Sequence, residues 1–266
     1  VVDPERPEPV PPGAPLRARG VSVRYGPEAP WALRDVDLEL RPGRRVAIVG
    51  PSGAGKSTLA AALVRFVDVD DGRITLGDVD LRAMTQASLR ATVCLVAQDA
   101  HVFAGSLRAN LLLARPGATQ AELDGAARRA ELLSWIESLP EGWDTPAGEL
   151  GARISGGQRR RLALARGYLA AAPIVVLDEP GAHLDEPTAD AITRHLLGAG
   201  GPRTLLLVTH RLPGLERADE VLVLEAGRIT ERGAPLDLLA RPSRFRRLWE
   251  LQAAAGSAAG ATGGAR

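Results

Sequence analysis

Cysteine is nearly absent: the chain has one, Cys94, so no intramolecular disulfide can form. A chain built without disulfides is most simply read as working in a reducing compartment. Cys94 sits in the apolar run Thr92-Val93-Cys94-Leu95-Val96-Ala97, where a thiol acts as a small buried hydrophobe. A surplus of charge is lacking too, since 33 basic residues face 32 acidic ones for a net charge of +1. That balance argues against holding nucleic acid by bulk charge and leaves only a local basic patch open. No apolar run reaches the about 18 residues of a membrane-spanning helix. The best stretch, Tyr168 to Leu177, is short and is closed by Arg166 and Asp178. No basic region followed by an apolar one opens the chain, so no signal peptide is expected. Membrane contact is therefore expected through a partner or through polypeptide outside this stretch. Lysine is the last scarcity: arginine supplies 32 of the 33 basic residues, and the one lysine is Lys56.

What is present suits a globular protein, with 266 residues, 45% of them hydrophobic and 24% charged. Residues 1–15 hold six prolines and predict an extended linker, and the first residue, valine, suggests a piece of something longer. Residues 253–266, rich in Ala, Gly, Ser and Thr, predict a disordered tail. Between them, residues 16–252 form the expected domain. Strand-like runs fall at Leu16–Tyr25, Ala32–Leu40, Arg45–Val49, Val93–Ala97, Ile174–Leu177, Thr204–Val208 and Glu220–Leu224. The fully apolar Ile174–Leu177 and Leu205–Val208 predict buried strands of a largely parallel sheet. Helices are expected at Lys56–Phe66, Thr119–Leu139, Gln158–Ala171 and Pro187–Leu197, with a capping box of Thr119 and Glu122. The stretch Ala87–Ala171 reads as a mainly helical insertion.

Val46-Ala47-Ile48-Val49 runs into Gly50-Pro51-Ser52-Gly53-Ala54-Gly55-Lys56-Ser57-Thr58, the pattern G-x-x-x-x-G-K-S between strand and helix. Glycines let backbone N–H groups wrap phosphate oxygens, and the helix start adds a favourable dipole. Lys56 can reach the β- and γ-phosphates and the Ser57 hydroxyl can ligate Mg²⁺. A slim ammonium on a flexible stem fits inside a ring of amides where a planar guanidinium does not, which accounts for the lone lysine. Downstream, the strand Ile174–Leu177 delivers Asp178 and Glu179. In P-loop enzymes such an Asp serves Mg²⁺, and the following Glu can polarise the attacking water. An acidic pair after a strand is by itself commonplace; its order after Lys56 is what gives it weight.

Upstream, with Ser155 twenty-three positions before Asp178, Ile154-Ser155-Gly156-Gly157-Gln158 opens an apolar helix and offers a second anion site. This string resembles the signature of ABC cassettes, with Ile154 in place of the usual leucine. The basic run Arg159–Arg161 behind it reads as a solvated or salt-bridged helix face. The resemblance covers about Leu16 to Leu251. It implies an α/β P-loop cassette with a mostly parallel central sheet, an antiparallel β subdomain and a helical subdomain bearing the signature. ATP and Mg²⁺ are the implied cofactors. Tyr25 looks like the aromatic that stacks on adenine, and Gln98 like the glutamine that senses Mg²⁺ and couples to the transmembrane partner. Leu184-Asp185 looks like the loop crossing a dimer interface, and His210 like the histidine that contacts the γ-phosphate. His101, His183 and His195 have no such match and are expected in ordinary structural roles.

Gln98–Leu111 and Asp144–Gly151 are similar to stretches of exporter cassettes that touch the coupling helices of a membrane domain. An exporter cassette implies a transmembrane domain, in the same polypeptide or a partner subunit, and a second cassette. It also implies a place on the cytoplasmic face of the cell membrane. More narrowly, Asp178–Asp185 and Val96–Phe103 look like the CydC half of CydDC transporters, linked to thiol export and cytochrome bd assembly. That would make the whole molecule a heterodimer. The alternatives are a soluble ABC ATPase of DNA repair or translation, which usually carries a coiled-coil insertion or tandem cassettes, and an importer cassette.

Overall fold

The computed structural model describes residues 2–98, 101–148, 153–198 and 203–262, with side chains through residue 254. Two sheets organise the chain. Strands β1 (Leu16–Arg24), β2 (Trp31–Leu40), β4 (Asp71–Leu76) and β5 (Val79–Asp80) form an antiparallel sheet in the order β2-β1-β4-β5. The second sheet, in the order β10-β9-β3-β8-β7-β6, joins β3 (Arg45–Val49), β6 (Val93–Val96), β7 (Ile174–Asp178), β8 (Thr204–Val208), β9 (Glu220–Glu225) and β10 (Arg228–Gly233). Its first five strands in sequence pair in parallel, and β10 closes one edge as an antiparallel hairpin.

Both faces of this sheet are covered, which is why its strands read as continuous apolar runs. Val46 and Ile48 of β3, with Ile174 and Val176 of β7, face a core shared with the antiparallel sheet and α1 (Lys56–Leu63). Ala47, Val49, Val175 and Leu177 face the opposite core. There they meet α3 (Leu107–Leu112), α4 (Gln120–Arg129), α5 (Leu133–Glu137), α6 (Gly156–Leu169) and α7 (Glu186–Leu197). α2 (Gln86–Thr92) leads into β6, while α8 (Pro235–Ala240) and α9 (Arg244–Thr262) close the chain.

Several expectations need correction. β6 belongs to the central sheet although it lies within the stretch read as a helical insertion. β4, β5 and β10 had no counterpart in the sequence reading, because Gly72, Gly77 and the alternating charges of Arg228–Gly233 hide strands that pair at an edge or turn tightly. The helix expected over Thr119–Leu139 is two helices, broken at Glu131, which adopts φ +54°. The capping box of Thr119 and Glu122 is present. The stretch from Ala253, expected as a tail, continues α9 to Thr262, since alanine is the strongest helix former; residues 263–266 lie outside the described residues. The proline-rich start runs extended but is docked. Glu8 donates its N–H to Ala83, Asp3 accepts the N–H of Gln86, and the Pro15 carbonyl accepts from Gly77.

Candidate nucleotide site

Three neighbouring strands, β3, β8 and β7, end along one edge of the central sheet and deliver the site residues together. After Val49 the backbone turns at Gly50, φ +153°, and again at Gly55, φ +100°. A Cβ on Gly50 would lie 2.0 Å from the Leu224 carbonyl oxygen, and one on Gly55 2.3 Å from that of Ala32, so neither position admits a side chain. Pro51, Ser52 and Gly53 face solvent while Ala54 is buried, its carbonyl accepting the Gly227 N–H at 3.0 Å. α1 starts with no side-chain cap and no acid in its first turn, leaving its first N–H groups for an anion. Lys56 is buried, and its Nζ donates to the carbonyls of Gly50 and Pro51 at 2.9 Å each. It forms no ion pair among the described residues.

At the end of β7, Asp178 is buried beside Ser57, and its Oδ1 has no hydrogen-bond partner. Burial pushes this carboxyl above the ordinary aspartate range; a Ser57 hydrogen bond opposes the rise and the Glu179 charge adds to it. An orphaned buried carboxylate oxygen next to a hydroxyl fits a hard divalent cation. No group of three or more carboxylate, histidine or cysteine side chains surrounds it among the described residues. The donor set therefore suits a cation that takes its other ligands from phosphate and water, as Mg²⁺ does.

Glu179 is held at φ +52°, a costly conformation for a side-chain-bearing residue, by its N–H bond to the Val208 carbonyl at 2.8 Å. Its buried Oε2 lies 2.8 Å from His210 Nδ1 and accepts the His210 backbone N–H at 3.3 Å. β8 brings His210 to this place, and the Thr209 N–H extends the ladder onto the Ile48 carbonyl at 3.0 Å. Tyr25, 65% exposed, follows β1 with its hydroxyl 3.1 Å from Thr58 Oγ1, so its ring stands over the start of α1.

Two predicted groups make no hydrogen bond to this cluster among the described residues. Gln98, just after β6, is exposed, and its side chain bonds to none of the described residues. Ser155 and Gly156 are exposed at the start of α6. Here a capping box is closed: Ser155 Oγ accepts the Gln158 N–H at 3.2 Å, and Gln158 Oε1 accepts that of Ser155 at 2.7 Å. The helix thus begins at Gly156, two residues earlier than expected. Gly157 packs so close to Leu184 that a Cβ would come within 3.1 Å of it. α6 packs in the core opposite to that of α1. No hydrogen bond or ion pair joins Ser155–Gln158 to the loop at Gly50–Thr58 among the described residues. Asp99, Ala100, Glu149, Leu150 and Gly151 of the two exporter-like strings lie outside the described residues.

Two residues that the sequence did not single out organise these parts. Arg160, read as part of a solvated basic face, donates to the carbonyls of Gln98, at 2.9 Å, and Ala182, and lies 3.2 Å from His183 Nδ1. It ties the signature helix to the segments after β6 and β7. Gln252 grips the loop after β8 with one amide, accepting the Leu212 N–H at 2.7 Å and donating to the His210 carbonyl at 3.1 Å. Neither role has a local sequence signature, because each partner lies at least 22 residues away.

A glycine-walled anion loop, a buried lysine, and an Asp-Glu pair at the end of a parallel strand define a P-loop nucleotide-binding ATPase. The profile of the family described as ABC transporter matches residues 33–182. The chain belongs to that family and is its ATP-binding cassette. It is 42% identical over 245 residues to the mycobactin import ATP-binding/permease protein IrtA of Mycolicibacterium smegmatis, covering 91% of this chain and 28% of that protein. It is 41% identical over 222 residues to an ATM1-type heavy metal exporter of Novosphingobium aromaticivorans, covering 84% and 36%. An ATP-dependent lipid A-core flippase of Chromohalobacter salexigens is 40% identical over 237 residues, covering 89% and 41%. A bacterial Atm1-family ABC exporter structure with ATP bound superposes with a TM-score of 0.87 at 38% identity, over 95% of this chain and 44% of that one. The chain thus spans less than half the length of these relatives.

Proposed function

We propose that this chain hydrolyses ATP to power a membrane exporter, with Lys56, Ser57, Asp178, Glu179 and His210 as its working residues. The observation that carries this reading is the buried Glu179 carboxylate, fixed by His210 beside Asp178 and the Lys56 loop. The loop amides and Lys56 bind the β- and γ-phosphates and offset their charge. Ser57, Asp178 and Gln98 would hold Mg²⁺, which when bound would neutralise charge on the phosphate oxygens. Glu179 orients a water and accepts its proton, and His210 keeps that carboxylate in place while reaching for the γ-phosphate. Tyr25 supports adenine from the end of β1.

Lys56→Ala should cost about 1.5–3 kcal/mol of Mg·ATP affinity, the worth of charge-assisted hydrogen bonds. Glu179→Gln should keep that affinity and lose about 10²–10⁴-fold in turnover. Nucleotide titration and steady-state phosphate release check both, and undiminished hydrolysis in Glu179→Gln removes the carboxylate from the chemistry.

The likeness to the Atm1-type exporter and the lipid A flippase, with the strings around Gln98–Leu111 and Asp144–Gly151, favours export and a fused or partner transmembrane domain at the cytoplasmic membrane face. The finer reading, a CydC-type cassette of a heterodimeric thiol-reductant exporter, rests on Asp178–Asp185 and Val96–Phe103. Loss of cysteine or glutathione export on Glu179→Gln substitution in the full transporter tests it; unchanged export rules it out.

A further inference from the structure

The edge of the central sheet opposite the nucleotide loop carries a half-open pocket of about 460 Å³ between α4, α6 and α7. Arg45, the first residue of β3, and Arg203, just before β8, line it, whereas Gly50 leaves β3 at its other end. The floor is apolar and buried, formed by Leu164, Leu177 and Leu205. The walls are cationic. Arg115 is paired with Glu122 at 2.7 Å, but Arg45, Arg129 and Arg203 form no ion pair among the described residues.

Their hydrogen bonds go to backbone carbonyls instead: Arg45 to Leu197 at 2.9 Å, Arg129 to Gly125 at 3.2 Å, and Arg203 to Tyr168 at 3.0 Å and to Ala170. Helix-end carbonyls compensate a guanidinium in part and leave its net charge in place. Burial and the repulsion of Arg129 together hold Arg203 below the ordinary arginine range. Tyr168 lies under Arg129, whose guanidinium is 4.9 Å from its ring centre. The Tyr168 hydroxyl is buried and has no hydrogen-bond partner. A buried hydroxyl is costly to leave unpaired; the charged groups that act on it are the Arg129 guanidinium and the Glu131 carboxylate, and Arg129 would hold the missing acceptor.

We propose that this pocket is a binding site for a small amphipathic anion, an apolar body on the leucine floor with a phosphate or carboxylate head among Arg129, Arg203 and the Tyr168 hydroxyl. The volume falls within the range of small-molecule sites. A bare inorganic anion would leave the floor uncovered, and a neutral apolar compound would leave the guanidinium charges and the hydroxyl unanswered. The site is separate from the nucleotide loop, so both can be filled together.

The test is calorimetric titration of the chain with 1-naphthyl phosphate, the nucleotide site first saturated with Mg²⁺ and a non-hydrolysable ATP analogue. One site per chain is expected, weakened about tenfold by Arg129→Gln and about threefold or more by Tyr168→Phe. Tyr168→Phe removes only an unpaired hydroxyl, so the ligand-free thermal midpoint should not fall, which separates a ligand role from a structural one. The proposal is overturned by absence of saturable binding, by unchanged affinity in both variants, or by equal binding of inorganic phosphate or 1-naphthol.

Discussion

Lys56 places its ammonium 2.9 Å from two carbonyls of its own loop, a grip that suits a compact, rotatable donor. A planar guanidinium cannot meet both carbonyls from inside that ring, and this accounts for lysine at one position in a chain that otherwise uses arginine. Asp178 is the electrostatic counterpart. Its folded-state pKa lies above its unfolded value, so the folded chain holds the proton more tightly, and stability falls as pH rises from the ordinary value of 3.8 through the raised one. Above that range the buried charge is a cost until a cation offsets it. Asp178→Asn should therefore raise the melting midpoint of the nucleotide-free chain at pH 7, with the gain vanishing as the pH approaches 3.8. An unchanged midpoint at pH 7 would mean that burial of this charge is not limiting. Tyr25 stands 65% exposed over the start of α1. Tyr25→Ala should cost about 1–2 kcal/mol of nucleotide affinity, while Tyr25→Phe, which gives up only the exposed bond to Thr58, should change it by about threefold at most. Equal affinity in Tyr25→Ala would return the ring to ordinary packing.

Among the elements, the break between α4 and α5 is instructive. The Leu132 N–H bonds to the Ala127 carbonyl at 2.9 Å and the Glu131 N–H to that of Arg128 at 3.0 Å, the pair of bonds that ends a helix with a left-handed residue. That residue is usually glycine, and here it is Glu131 at φ +54°. With neither Gly nor Pro at 130–132, periodicity runs through the break unmarked; in the fold Arg161 donates to the Glu131 carbonyl. Glu131→Gly should relieve the strain and stabilise the chain by about 0.5–1 kcal/mol in urea unfolding, net of the added freedom of the unfolded state. A loss of stability would show that the His195 contact at 3.5 Å outweighs the strain.

At the scale of the whole molecule, the two anion-seeking helix starts belong to helices in opposite cores. Lys56 lies buried within its loop, while Ser155 and Gly156 face solvent. A nucleotide has one γ-phosphate, and two such surfaces meet on it most simply if a second cassette supplies the signature. ATP then becomes part of the interface and hydrolysis releases it, a way to convert chemistry into motion. Light scattering should show Glu179→Gln dimerising with ATP, alone or with a partner cassette. Ser155→Arg should abolish the dimer and leave ATP binding within about threefold. Monomers throughout, with partner and ATP present, would count against the sandwich.

Much of this protein was legible residue by residue. The phosphate loop, the Asp178-Glu179 pair and the apolar strands are set by local chemistry: glycine where no Cβ fits, and branched side chains where both sheet faces are covered. The family followed from the same strings. What only the tertiary structure decided are the contacts between distant segments, whose energies depend on packing that periodicity does not encode. Strand order places β8 between β3 and β7 and so joins His210 to Glu179, 31 residues apart. Gln252 reaches back 42 residues to hold the His210 loop, and Arg160 spans 62 to Gln98. The strand β10, half exposed and full of charge, exists only because β9 offers it an edge.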